Sequence, residues 1–335
     1  MYIGLWSRLQ GFERDDLTAA LERRTVVQGT LVRVTIHLVS AGDYWPFALA
    51  VREERRRWWL GATRRTHDAG DLAAAAERLR DHLREHGPVR RKELDALVGK
   101  ERTNGVGLWV DLVRLPPSGT WERRRADLYG LAEDWLGPPP PQLTADAAVA
   151  HLVRRYLGGF GPATVAEIAN WAGLRTSPVA AAVAGLRGPN AVAGLRGPNA
   201  VAGLRGPNAV ASLRGPNAVA GLRRFRTEAG DDLVDLPRAP LPDPDTPAPV
   251  RLLPTWDATL LVHARRAAIL PEEYRTRIFN TKMPQSVNTF LVDGQVAGTW
   301  RVDGTGVEID AFRPLPQAVR REVEAEGDRM AAFHA

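Results

Sequence analysis

The amino-acid sequence predicts an α+β fold, mainly helical. It reads as repeated helical units, each closed by a β-hairpin, followed by a small α+β domain. Three observations carry this expectation. "GPVRRKELDALVG" (Gly87 to Gly99) and "GPATVAEIANWAG" (Gly161 to Gly173) share the pattern G-P-x-x-x-x-E-(L/I)-x-x-x-x-G. An amphipathic helical stretch precedes each, and turn-broken, strand-like sequence follows each. A proline-rich, acidic linker, "LPRAPLPDPDTPAP" (residues 236–249), then leads into alternating sequence with Asp-Gly turns.

Residues 1–66 read as a partial unit. "ERDDLTAALERR" is a helix with acidic residues in its first turn, where they favour the helix dipole. "TVVQGTLVRVTIHLV" is β-branched and apolar, with a turn expected at Gln28-Gly29. "SAGD" (Ser40 to Asp43) is a capping box opening the next helix, with Pro46 expected in its first turn. The unit lacks a first helix, which is expected ahead of Met1.

Residues 67–138 form the first full unit. Its helix "DLAAAAERLRDHLREH" ends at Gly87-Pro88, and Pro88 is expected at the first turn of the next helix. Gly99 supplies the left-handed residue that stops that helix. A third helix is expected from Asn104, "NGVGLWVDLVRL", then a hairpin in "GTWERRRADLYGLA". Residues 142–238 repeat the order. "TADAAVAHLVRRYLGGF" precedes the second Gly-Pro unit. A third helix capped by Ser177, with Pro178 in its first turn, follows, and "RRFRTEAGDDLVDL" turns near Gly230-Asp231. Three helices and a hairpin is the order of a winged helix. Small helical modules with no nucleic-acid role share it, since fold does not fix function.

Inside the second unit, residues 182–217 hold four nine-residue repeats of the type "AVAGLRGPN". Gly and Pro recur too often for a long helix or strand to run through them. Deleting the repeats leaves a continuous helix-to-hairpin passage. They read as a tolerated surface insertion, whose closure costs about 1–2 kcal/mol because loop entropy grows with the logarithm of length. Residues 250–335 close the chain with "NTFLVDGQVAGTWRVDGTGVEIDAFRP", three strands turning at Asp293-Gly294 and Asp303-Gly304, and a final helix.

Composition narrows the function classes. The absence of cysteine excludes disulfides and thiolate metal sites. No apolar run approaches the roughly 20 residues of a membrane span, and the start lacks the order of a signal peptide. A cytoplasmic monomer without cofactor or metal is the expectation. The net charge of +6 invites a nucleic-acid reading, but it falls to +2 without the four arginines of the repeats. Only three of the 45 basic residues are lysine, so genomic bias explains the arginine richness as well as selection for phosphate contacts does.

Four stretches carry a more specific resemblance: "LVRVTIHLVSAGDYWP", the two Gly-Pro units, "RLLPTWDATLL" and "VDGQVAGTWR". With them the chain resembles winged-helix DNA-binding proteins related to the AlkZ-like DNA glycosylases. The resemblance implies tandem winged helices curved around double-stranded DNA and a role in repair of alkylated or crosslinked DNA. Characterised members excise alkylated purines with a Gln-x-Gln or Gln-x-Asp pair that positions the attacking water. That pair lies just upstream of the segment matching "YIGLWSRL". This sequence contains neither pattern, and the matching position falls ahead of Met1. Two alternatives follow: a true start further upstream, or a shortened chain that binds DNA without this chemistry, as a regulator or scaffold does. No catalytic residue is assigned, and whether the chain is an enzyme stays open.

The candidate DNA contacts are His37, Arg55, Arg56, Arg57, Arg90, Arg91, Lys92, Arg123, Arg124, Arg125, Arg223 and Arg224. His37 is either a polar group facing DNA or a strand histidine bonded to backbone. Arg55 to Arg57 adjoin Trp58 and Trp59, as on nucleic-acid surfaces, or sit at a helix end with core tryptophans. Arg123 to Arg125 occupy the first hairpin, where phosphate contact is the natural role. His82 and His86 have ligand-like spacing but no third ligand. Trp256 reads as core, and Asp257 as a helix cap.

Overall fold

Short runs of β-branched residues between the helices give residues 17–239 a five-stranded antiparallel sheet and a separate two-stranded ribbon. The computed structural model describes residues 1–63, 68–186, 221–243, 245–261, 266–279 and 287–335. It is α+β and mainly helical, and it divides into two units: Met1–Asp16 with Pro240–Ala335, and Leu17–Ala239. Among the described residues no helix is long and apolar enough to cross a membrane.

In the larger unit, α2 (Arg14–Glu22, of which Arg14 to Asp16 count with the smaller unit) leads into a hairpin of β1 (Val26–Thr30) and β2 (Ile36–Ser40). The turn differs from expectation. Gln28 and Gly29 lie within β1, paired with Leu38 and His37. A Cβ on Gly29 would stand 2.8 Å from the Tyr44 ring, so glycine serves packing there and not a bend. The chain reverses instead at Val32–Val34, with Arg33 and Val34 at φ of 53° and 57°.

Helix α3 (Ala41–Thr63) opens as expected: the Ser40 hydroxyl accepts from the Asp43 amide at 3.2 Å. Pro46 is its sixth residue, in the second turn, where the missing N–H deletes one intrahelical bond. Helix α4 (Ala69–His86) is capped by the Asp68 carboxylate. It is followed by β3 (Val89–Arg90), α5 (Arg91–Val98), α6 (Thr103–Val106), β4 (Leu112–Arg114), β5 (Leu128–Leu131) and α7 (Ala132–Leu136). The sheet order is β2-β1-β4-β5-β3.

The third helix of the first unit is therefore four residues long. The "LVR" of its expected continuation is a strand instead, because β1 and β5 offer it partners on both edges. Pro88 also stays outside the following helix. The residues after it are extended and pair with β5, Val89 with Tyr129 and Arg90 with Leu128.

The second unit comprises α8 (Ala145–Phe160), α9 (Val165–Ala172), α10 (Thr176–Gly185), β6 (Arg223–Arg226) and β7 (Asp232–Asp235). Thr144 caps α8, and Thr164 with Glu167 forms a complete capping box on α9. Pro162 likewise precedes an extended residue, Ala163, which forms a two-way bridge with Val234 of β7. Ser177 and Pro178 are the second and third residues of α10, whose cap position is Arg175. Of the nonapeptide stretch, residues 182–186 end α10; those from 187 to 217 lie outside the described residues. Helix α3 packs along α8, and the core between them includes Val51, Leu152, Val153 and Tyr156 with Ile168 and Val179. Each such fully buried aliphatic side chain contributes about 1.5–3 kcal/mol.

In the smaller unit, α1 (Tyr2–Trp6), β8 (Arg251–Leu253), α11 (Ala258–Leu261), α12 (Arg275–Ile278), β9 (Asn288–Val292), β10 (Gln295–Asp303), β11 (Gly306–Ala311) and α13 (Gln317–His334) follow in chain order. The sheet runs β11-β10-β9-β8. Asp293 and Gly294, both at positive φ, make the tight turn that Asp-Gly favours. Residues 1–16 pack here, apart from the rest of 1–66. Ile3 and Trp6 lie against a core of Leu252, Phe290, Trp300 and Met330, with the Trp6 ring 5.8 Å from Phe333.

Candidate nucleic-acid interface

The larger unit sorts its candidate arginines into two groups. One group is consumed by the fold. Arg55 is 4% exposed, and its Nη1 donates to the carbonyls of Thr30 and Leu31 where β1 ends. Burial pulls its pKa down to about 10. Its spacing gave the signal: Ala48, Val51 and Arg55 share one face of α3, and the first two are core. Arg56 donates to the Leu108 carbonyl at 2.8 Å and lies over the Trp109 ring. Arg91 is held by Asp95 and Asn104, whereas Arg57, paired with Glu54 one turn earlier, stays exposed. Arg223 faces Asp235 across the second hairpin and donates to the Ala239 carbonyl.

The other group projects from the fold. Arg90, Lys92, Arg123, Arg125 and Arg224 are exposed. The sheet brings four of them to one end. Arg90 pairs in register with Leu128, the first residue of β5, and the Arg91 amide donates to the Asp127 carbonyl. The loop carrying Arg123 to Arg125 thus runs straight into the strand beside Arg90.

That loop, residues 116–127, is tightly tied. Ser118 is buried, and its hydroxyl accepts from the Leu128 amide at 2.7 Å. The buried Thr120 hydroxyl donates to the Pro117 carbonyl and accepts from the Arg123 amide. Gly119, at φ +83°, sits so close to the Gln28 side chain that no Cβ fits. On this base the Arg124 guanidinium stacks over the Trp121 ring at 4.1 Å. Arg123 and Arg125 extend beyond it.

A second polar cluster joins two helices. Asp43 Oδ1 accepts from His151 Nε2 at 2.7 Å and from Arg155 Nε at 2.8 Å, while Oδ2 accepts from Ser40. Burial alone would raise the Asp43 pKa. The hydrogen bonds from His151, Ser40 and Arg155 outweigh it and hold the carboxyl at about 2. This cluster fastens α3 to α8.

A family model for AlkZ-like DNA glycosylases matches residues 1–217 and 190–333. The chain belongs to the AlkZ-like DNA glycosylase family. Among solved structures, the Streptomyces sahachiroi DNA glycosylase AlkZ is similar in fold. The TM-score is 0.72 at 16% identity, over 98% of this chain and 84% of that one. A search of curated proteins found no match.

In this AlkZ-like chain the smaller unit adds a residue that sequence reasoning placed in the core. Trp256 is 53% exposed at φ +61°, a backbone region that disfavours a bulky side chain. Asp257 beside it is buried. Its Oδ1 accepts from the Thr259 amide at 3.0 Å, as a cap does, and from Arg8 at 2.7 Å. The capping aspartate was the signal, since it leaves the residue before it outside the helix. His82 and His86 stack at 4.4 Å, and no metal-holding group of three or more His, Asp or Glu occurs among the described residues.

Proposed function

We infer that this chain binds double-stranded DNA through tandem winged-helix units and serves the repair of alkylated or crosslinked DNA. Family membership supports the repair context. The observation that carries the binding reading is the basic end of the five-stranded sheet, where Arg90 of β3, Lys92 in the first turn of α5, and Arg123 and Arg125 of the tied loop are exposed together. Preorganised cations bind phosphate with little ordering cost, and each contact releases counterions. The hairpins β4–β5 and β6–β7, each following a short helix trio, are the wings in this reading. A titration of duplex DNA at two salt concentrations tests it. Affinity should fall steeply with salt, and Arg123→Ala should lower the slope of log K against log[salt] by about one. Absent or salt-independent binding by the wild type overturns the reading.

The family favours a second reading, an alkylpurine DNA glycosylase. Release of bases from alkylated DNA by this chain would establish it. Binding without release favours the DNA-binding role alone.

A further inference from the structure

His37 lies on β2, the edge strand of the five-stranded sheet, immediately after the tightest reversal in the larger unit. Arg33 and Val34 both occupy left-handed backbone there, and the Thr35 amide closes the turn on the Val32 carbonyl at 3.2 Å. This is the geometry that two-residue hairpin turns usually give to Asn-Gly. For a β-branched valine it is strained, and such strain persists only where the surroundings impose it. They do so here. Arg33 donates to the Trp171 carbonyl at the end of α9 and packs against Gly173. Arg55 holds the Thr30 and Leu31 carbonyls on the other side.

The turn fixes the Thr35 carbonyl, and that carbonyl fixes a tautomer. The Thr35 oxygen accepts from the Leu31 amide at 3.0 Å and lies 2.9 Å from His37 Nδ1. A carbonyl can only accept, so Nδ1 carries the proton and Nε2 carries a lone pair. Burial opposes protonation of Nε2 and outweighs the Thr35 hydrogen bond, which favours it; with the smaller effect of the Arg33 and Arg55 charges the pKa falls to about 4. Both of those guanidiniums are turned toward backbone carbonyls. His37 itself is half-buried at this edge, between the exposed Thr35 and Ile36 and the half-buried Leu38.

The result is an acceptor in a basic neighbourhood. At neutral pH a phosphate offers only acceptors, so it repels such a lone pair. The donors on DNA are the exocyclic amino groups of adenine and cytosine in the major groove and of guanine in the minor groove. We propose that His37 accepts a hydrogen bond through Nε2 from an exocyclic amino group of a DNA base, and makes no phosphate contact. This inference rests on the DNA-binding reading above.

Three measurements on the full chain test it. Nitrogen-15 spectra of the imidazoles in the free protein should show the His37 proton on Nδ1 at pH 7; a proton on Nε2 overturns the proposal. His37→Ala should weaken duplex binding about three- to tenfold at every salt concentration, the range for one neutral hydrogen bond, with the salt slope unchanged. A slope lowered by about one would mean a lost phosphate contact and overturns it. His37→Gln, whose side-chain oxygen keeps an acceptor near the Nε2 position, should stay within about twofold of wild type; a loss as large as that of the alanine variant overturns it. Wild-type binding with an unaffected alanine variant sinks this inference alone. No binding by the wild type sinks the DNA-binding reading and takes this inference with it.

Discussion

In the first Gly-Pro unit the residues after Pro88 pair with β5, whereas in the second the residue after Pro162 pairs with β7. Each proline thus leads into a strand residue that ties the helix pair to its own hairpin, and the two units diverge from there. The first hairpin is built into a five-stranded sheet and needs only loose packing at its Gly-Pro corner. The second is two strands alone, and it is locked at the corner itself. A Cβ on Gly161 would stand 2.2 Å from Asp235 Oδ1 and 2.6 Å from the Leu157 carbonyl, whereas one on Gly87 would meet nothing within 4 Å. The same dipeptide is a tight joint in one copy and a bend in the other.

The largest test of this difference is a pair of alanines. Gly161→Ala should destabilise by about 3 kcal/mol through overpacking against backbone and a buried carboxylate. Gly87→Ala, at φ +83° and ψ −165°, should meet no packing clash and cost only the backbone strain of a glycine-favoured region, about 1–3 kcal/mol. Urea unfolding of both variants checks this, and equal losses would erase the distinction.

The helices ahead of the two units sharpen it further. Helix α8 is held by the half-buried Asp43, and α4 by the more exposed Glu133 through Arg80 and Arg84. Asp43 titrates at about 2 against an ordinary 3.8. Its contribution is therefore complete above pH 4 and disappears as pH falls through 2. Asp43→Asn should lose about 2 kcal/mol at pH 7 and converge with wild type near pH 2. Glu133→Gln should lose less than about 1 kcal/mol. Denaturant midpoints between pH 7 and 2 distinguish the two. His37 acts in the same direction at higher pH: its lowered pKa makes acidification from 6.5 to about 4 destabilising, and an alanine variant should lack that slope.

The smallest effect concerns caps. Thr164 accepts from the Glu167 amide through its hydroxyl, so Thr164→Ala should cost about 1 kcal/mol. Arg90, in the same position of the first unit, offers no side-chain oxygen. Arg90→Ala should change stability by less than about 0.5 kcal/mol, visible as a thermal midpoint close to wild type.

Much of the secondary structure was legible because its causes are local. The Ser40–Asp43 box and Asp293-Gly294 each act on their own neighbours, and they sit where their chemistry demands. Strand β4 was not legible. Three apolar-flanked residues look helical until β1 and β5 supply hydrogen bonds from far along the chain on both sides, as in Gln28 with Arg114 and Leu112 with Leu131. The candidate interface divided the same way. Arg123 to Arg125 lack helical periodicity and are exposed. Arg55, chemically identical to its neighbours in "RRRWW", is buried by helical phase. The Trp256 side chain was missed because aromatic residues are usually inside, and its backbone conformation has no sequence signature.

The pairing of β4 with β1 also sets how the molecule comes apart. It joins the amino-terminal hairpin and the β4–β5 hairpin into one ladder, with β4 at its centre. Neither hairpin can detach without breaking the β1–β4 pairs, Gln28 with Arg114 and Gly29 with Val113, so the amides of that seam share one opening event against solvent exchange. Among the described residues the β6–β7 ribbon has no ladder partner beyond the Ala163 bridge. Its opening therefore breaks that bridge and its own ladder, and leaves the five-stranded sheet that carries the arginine loop intact.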